Sequence, residues 1–181
     1  IAPQCRRPRA GWGHAPTWPA HATVGPRARA QVDFSTDNAS FEKKIINLKE
    51  LKRLNMEGTR MKHVPEGIFT LSHLEELSLS DNVLLELPES IQSLAEQLRE
   101  LDVSKNFMAA LPDAIGAMAA LRSLSVGRNK LTELPSTFGA LHSLTALSLE
   151  HNRLRSAPPA LFELPSLEDL NLHGNRLSGL P

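Results

Sequence analysis

Glu150 and His173 stand 23 residues apart, and a carboxylate beside an imidazole is the minimum equipment for general base catalysis or for half of a metal site. No nucleophile and no third ligand accompanies them, so this pair gives no catalytic or metal-binding reading. His63, His73 and His142 show no spacing that suits zinc, and the only cysteine is Cys5. Asn38-Ala39-Ser40 forms a glycosylation sequon that would matter only in a secreted chain. There is no glycine-rich phosphate loop and no kinase signature. The chemistry implied is that of recognition, with no cofactor and no catalytic group.

The interval between Glu150 and His173 is itself informative, because the whole chain from Leu51 repeats with that step. LEELSLSDNVLLELPESIQSL from Leu74 recurs as LRELDVSKNFMAALPDAIGAM from Leu98, LRSLSVGRNKLTELPSTFGAL from Leu121 and LTALSLEHNRLRSAPPALFEL from Leu144. Units start at Leu51, Leu74, Leu98, Leu121, Leu144 and Leu167, and the single 24-residue interval takes its extra residue within Ala95-Glu96-Gln97. A fixed period of this size means a solenoid.

Each unit reads L-x-x-L-x-L-x-x-N-x-L-x-x-L-P-x-x-I-x-x-L. Leu101 and Val103, two apart, suit inward positions of a short strand. Leu87, Ile91 and Leu94, four and then three apart, suit the inward stripe of a short helical turn with Pro88 at its first position. The expected architecture is α/β: stacked parallel strands on one side, short helical or irregular segments on the other. Such stacking buries backbone amides and carbonyls at the turn after each strand, where unpaired groups cost about 1–3 kcal/mol apiece. A side-chain amide carries both a donor and an acceptor, so Asn82, Asn106, Asn129, Asn152 and Asn175 are expected to form an internal ladder. Thr59 holds that place in the first unit with only a hydroxyl.

Six in-phase copies resemble a leucine-rich repeat protein of the 23-residue LPxxI class over residues 51–181, five full units and a truncated sixth. LDVSKN, LPESIQSL and LPDAIGAM are most similar to the intracellular Ras-group leucine-rich repeat family, which includes plant members and an animal scaffold of Ras signalling. The resemblance implies a protein-protein interaction scaffold of intracellular signalling without a catalytic site, whose partner is a small GTPase or its effector. The alternative is the ligand-sensing region of a larger receptor or enzyme.

Outward strand positions form columns. The first runs Arg53, Glu76, Glu100, Ser123, Ala146, Asp169, the second Asn55, Ser78, Asp102, Ser125, Ser148, Asn171, and the third Glu57, Ser80, Ser104, Gly127, Glu150, His173. Column neighbours lie about 4.8 Å apart, so Glu76 and Glu100 repel unless a cation intervenes. Expected partner-binding residues are Glu76, Glu100 and Asp102 as an acidic patch, then Lys105, Phe107, Arg128, Glu150, Arg153 and His173. Ser123, Ser125, Gly127, Ala146 and Ser148 are expected to leave an open floor between the patch and a basic rim after the strands, formed by Arg60, Lys105, Arg128, Lys130, His151, Arg153 and Arg176 with Phe107 as its one large apolar group. Convex-side acids such as Glu89 and Asp113 lie away from this surface.

A formal net charge of zero argues against general nucleic-acid or anionic-membrane binding, and no apolar run is long enough for a membrane span. The absence of a second cysteine favours a reducing compartment, hence a cytoplasmic location. An organellar location is the alternative if the Arg-rich leader is a transit peptide. That leader, residues 1–35, is rich in Arg, Pro and Ala and is expected to be disordered. The missing initiator Met suggests an incomplete chain or translated upstream sequence. Residues 36–50 hold a half-repeat or capping helix, with Phe41, Ile45 and Leu48 in phase, while Leu180-Pro181 falls inside unit six. Because the leader's composition cannot offset chain entropy, we expect limited proteolysis to remove residues 1 to about 35 first, leaving a folded core without Trp12 and Trp18. A resistant core retaining either tryptophan would move the boundary.

Overall fold

The computed structural model describes residues 48–178. The leader expected over 1–35 and most of the half-repeat expected over 36–50 lie outside the described residues. Six three-residue strands, β1 (Arg53–Asn55), β2 (Glu76–Ser78), β3 (Glu100–Asp102), β4 (Ser123–Ser125), β5 (Ala146–Ser148) and β6 (Asp169–Asn171), pair in parallel in chain order. Their register sets Arg53, Glu76, Glu100, Ser123, Ala146 and Asp169 side by side, as the 23-residue step requires. Inward leucines on every coil interlock into one core, and those of coils two to four are almost fully withdrawn from water. In the sixth coil Leu167, Leu170, Leu172 and Leu177 are partly buried and pack against this core.

The return segments are 3-10 turns: Glu66–Thr70, Glu89–Leu94, Asp113–Ala117, Ser136–Ala140 and Pro159–Glu163. Pro88 does not occupy the first helical position, as its spacing suggested. It is extended at φ −75° and ψ 153° and stands one residue earlier. Its carbonyl accepts the Ile91 N–H at 3.1 Å and so opens the turn, a task that needs no donor from proline. Only in the fifth turn does a second proline, Pro159, sit inside the helix. The extra residue of unit two is absorbed on this side, where Leu98 N–H reaches back to Leu94 O at 2.9 Å and Ala120 N–H bonds Ala95 O at 3.1 Å.

The expected asparagine ladder is present. Asn82, Asn106, Asn129 and Asn152 are buried, and Asn175 is half-buried. Each Oδ1 accepts a backbone N–H from the preceding coil: Met61, Leu84, Met108, Leu131 and Leu154, at 2.9–3.1 Å. Each Nδ2 donates to a carbonyl of its own coil and to the equivalent carbonyl one coil back. Val103 O therefore receives both Asn106 and Asn129 at 3.0 Å, and Val126 O receives both Asn129 and Asn152. Thr59 has one hydroxyl hydrogen for two acceptors, Met56 O at 3.1 Å and Asn82 Oδ1 at 2.9 Å.

We expect Asn106→Ala to lower stability by about 1–3 kcal/mol, chiefly by leaving the buried Leu84 N–H without an acceptor. Asn175→Ala, in the half-exposed sixth coil, should cost less. Urea melts compare the two, and a wild-type midpoint for the Asn106 variant would contradict the ladder's role.

Candidate docking face

The strand face carries the expected charges, but their partners differ in part from the sequence reading. Arg53 is the cation that relieves the acidic column: its Nε lies 2.8 Å from Glu76 Oε1. Glu100, next in register after Glu76, has no such contact among the described residues. Partial burial, then the neighbouring Glu76 charge, raise its carboxyl above the ordinary carboxylate range, and Arg53 offsets this only in part. At the strand entrance a second charge row runs Lys52, Glu75, Arg99, with Glu75 2.8 Å from Lys52 and 3.6 Å from Arg99. The Lys52 contact holds Glu75 below the usual range.

Asp102 has a structural duty as well as a charge. Its Oδ1 accepts the Ser104 N–H at 2.9 Å, as Asn55 does for Glu57 and Asn171 for His173. In the second coil the Ser78 and Ser80 hydroxyls, 3.2 Å apart and buried, take over this level. Asparagine would keep the bond and remove the charge, whereas lysine would lose both.

The small-residue floor is narrower than its column suggested. Ser123, Ser125, Ala146 and Ser148 are half-buried, but Gly127 is fully buried. The Glu150 side chain lies across it, with Glu150 Cγ only 2.7 Å from where a Cβ on Gly127 would stand. Glu150 is held there by Arg128 at 3.6 Å and by Asn171 Nδ2 at 3.1 Å. His173 instead meets His151 edge to face, ring centroids 5.4 Å apart. Glu150 and His173 thus have separate partners. Among the described residues no three His, Cys, Asp or Glu groups are placed to hold a metal ion, and no helix is long and apolar enough to cross a membrane.

Phe107 and Arg153 do not share the strand face. The chain turns at Lys105, in the left-handed region at φ 54°, and Asn106 then points into the core. Phe107 emerges on the flank beyond that turn, where Lys130 Nζ sits 4.7 Å from its ring centroid. The expected site therefore divides in two. Glu76, Glu100, Asp102, Glu150 and His173 belong to the strand face. Lys105 and Arg128 lie at the turn, and Phe107 and Arg153 lie on the flank. Arg53 already stood beside Glu76 in the first column of the sequence, but it was left out of the expected site because a column does not say which neighbour a long side chain will pair with.

These features define a solenoid of stacked coils, sealed by internal side-chain amides and displaying a regular outward surface. The leucine-rich repeat region profile matches residues 32–126, more than half of the 181, and a leucine-rich repeat profile matches residues 120–141; the chain belongs to the leucine-rich repeat family. Among curated relatives, it is 36% identical over 70 residues to uridine 5'-monophosphate transferase of Xanthomonas campestris pv. campestris, a match covering 38% of this chain and 13% of that protein. Among solved structures, a leucine-rich repeat protein of Leptospira interrogans is 30% identical with a TM-score of 0.60, covering 77% of this chain and 41% of that one. The plant peptide hormone receptor RGFR1 in complex with RGF2 is 27% identical with a TM-score of 0.63, covering 74% and 22%. The chain thus spans less than half the length of each.

A group whose folded-state pKa lies above its unfolded value lowers stability at pH above that folded value. The loss disappears as pH falls through the folded value toward the unfolded one. We therefore expect Glu100→Gln to raise the melting midpoint at pH 7, with the difference closing as pH falls through the carboxylate range. A lower midpoint for the variant at pH 7 would contradict this assignment.

Proposed function

We propose that this chain is a protein-docking scaffold of intracellular signalling that receives its partner on the strand face around Glu76, Glu100 and Asp102. The observation that carries this reading is Glu100. The fold holds this carboxylate half-buried and in register beside Glu76, an arrangement that raises its pKa, on a surface the core does not need, and like-charged carboxylates set side by side are often found at functional sites. Beside it the serine and alanine floor admits a partner's side chains, and the Arg128–Glu150 pair borders that floor. Leucine-rich repeats as a family bind proteins. The repeat length, the LPxxI turns and the Ras-group resemblance support a small GTPase or its effector as partner and the cytoplasm as location, or an organelle if the leader directs it there. The scaffold has no chemistry of its own in this proposal. With few aromatic anchors on the face, contacts are electrostatic and of moderate affinity.

A second reading, a sensing region within a larger receptor or enzyme, draws support from the relatives. One is a transferase of which the match covers 13%, and another is a receptor bound to RGF2. A kinase, nucleotide-binding or membrane-spanning segment in a longer chain would favour it.

The test is charge reversal with the fold preserved. Glu100→Lys combined with Asp102→Asn keeps the acceptor for Ser104 N–H and should weaken a partner captured from the source cell about tenfold, with added salt reducing wild-type binding. The matched control is Glu96→Lys with Asp113→Lys on the convex side. Glu89 is unsuitable there because its Oε2 accepts the Ala114 N–H at 3.0 Å. Equal affinity of both variants for the same partner would exclude docking on this face.

A further inference from the structure

Beyond the asparagine turn the chain builds a second, sparser ladder that presents its own surface. Phe107 N–H donates to Leu84 O at 2.9 Å, Lys130 N–H to Met108 O at 2.9 Å and Arg153 N–H to Leu131 O at 2.8 Å. In each coil an inward residue, Leu84 or Met108 for example, is flanked by outward residues on either side. Those outward positions form two columns along the flank. In coils two and three they are apolar: Val83 and Phe107 in one column, Leu85 and Ala109 in the other. Leu85 is 64% exposed and Phe107 44%, so water meets a contiguous apolar island there.

Basic residues stand on both sides of this island. The first column runs Arg60, Val83, Phe107, Lys130, Arg153, Arg176, and the second runs Lys62, Leu85, Ala109, Thr132, Arg155, Ser178. No acid occupies either column. Asp81 precedes the island, and Glu86 and Glu133 follow the second column by one residue, bounding the surface. Lys130 already sits over the Phe107 ring, a cation joined to an apolar anchor.

We infer that this flank is a second docking site, separate from the strand face, and that its occupant is an acidic protein segment bearing bulky apolar side chains. Such a segment covers Leu85 and Phe107 with its apolar residues and sets its carboxylates against Lys130 and Arg153 on one side, Arg60 and Lys62 on the other. Exposed aliphatic and aromatic groups at the centre favour a peptide over a nucleic acid, which would need cations there. The chain's own leader holds arginines and no acidic residue over residues 1–32, so its composition does not complement the basic ends of the flank.

A random peptide library displayed on phage, selected on the full chain, tests this, followed by fluorescence anisotropy with the synthetic peptides enriched. The expected winners combine Asp or Glu with Leu, Phe or Trp. Their affinity should fall about tenfold or more in Leu85→Ser with Phe107→Ser, and similarly in Lys130→Glu with Arg153→Glu, all exposed or half-exposed positions. Added salt should weaken them. The strand-face variant Glu100→Lys with Asp102→Asn should bind them normally, which keeps the two surfaces' outcomes distinct. The inference is overturned if no acidic-apolar family is enriched, if the peptides ignore both flank variants, or if an oligonucleotide binds the flank as tightly. It is also overturned if the chain self-associates through the flank, so that the serine variant becomes monomeric, since a second copy would then be the occupant.

Discussion

Everything in this structure depends on satisfying the backbone where each strand ends and the chain turns inward. The backbone ladder between coils runs past the three-residue strands, as with Leu79 N–H to Asp102 O and Asp81 N–H to Ser104 O, but it gives no donor to the inward carbonyls of Leu79, Val103 and Val126, and the leucines around them exclude water. The side-chain amide resolves this because it donates and accepts at once. Since each Nδ2 bonds both its own coil and the one before, the two lone pairs of Val103 O and Val126 O are filled by consecutive asparagines. The ladder is thus a set of bonds between coils as well as within them. It ties the stack together along its axis while aliphatic packing fills the volume.

That division of labour frees the outward positions. Residues at Glu76, Glu100 or Ser123 fill no core space and complete no asparagine ladder, so the core leaves their identities free, apart from the pairing of Glu76 with Arg53. The exceptions are instructive. Asp102 is half committed to the Ser104 N–H, and Glu150 lies over Gly127, which must lack a side chain for it to do so. Where the fold has taken an outward residue into its service, charge and structure cannot be varied independently.

Periodicity made most of this legible. Strand positions, register, inward leucines and the asparagine ladder all follow from one 23-residue step, because a solenoid repeats its contacts as it repeats its sequence. What periodicity did not convey is how side chains choose among neighbours within a column. Glu150 pairs with Arg128 and Asn171 instead of His173, and Arg53 reaches Glu76, because long side chains lean along or across the sheet. The position of Pro88 was misjudged because the same spacing suits a proline inside the first turn or one just before it, and only backbone dihedrals distinguish them. The apolar pair Val83 and Leu85 was overlooked although its signal was present, two outward residues around an inward one, just past the asparagine.

The turn residue before each asparagine links the two surfaces. Its backbone is left-handed at Asp81, Lys105, Arg128, His151 and Gly174, and at Gly58 before Thr59, which takes the asparagine place in the first unit. Residues with a Cβ pay roughly 1–2 kcal/mol for that conformation relative to glycine, and glycine is clearly tolerated at the position. The interior coils nevertheless carry long or charged side chains there, at the corner between strand face and flank. Arg128 uses the corner to reach Glu150, and His151 uses it to cover Gly174 and meet His173. At Arg128 and His151 the left-handed corner thus serves a side chain that orders the strand face, whereas Asp81 and Lys105 adopt it with no ion pair or ring contact of that kind among the described residues.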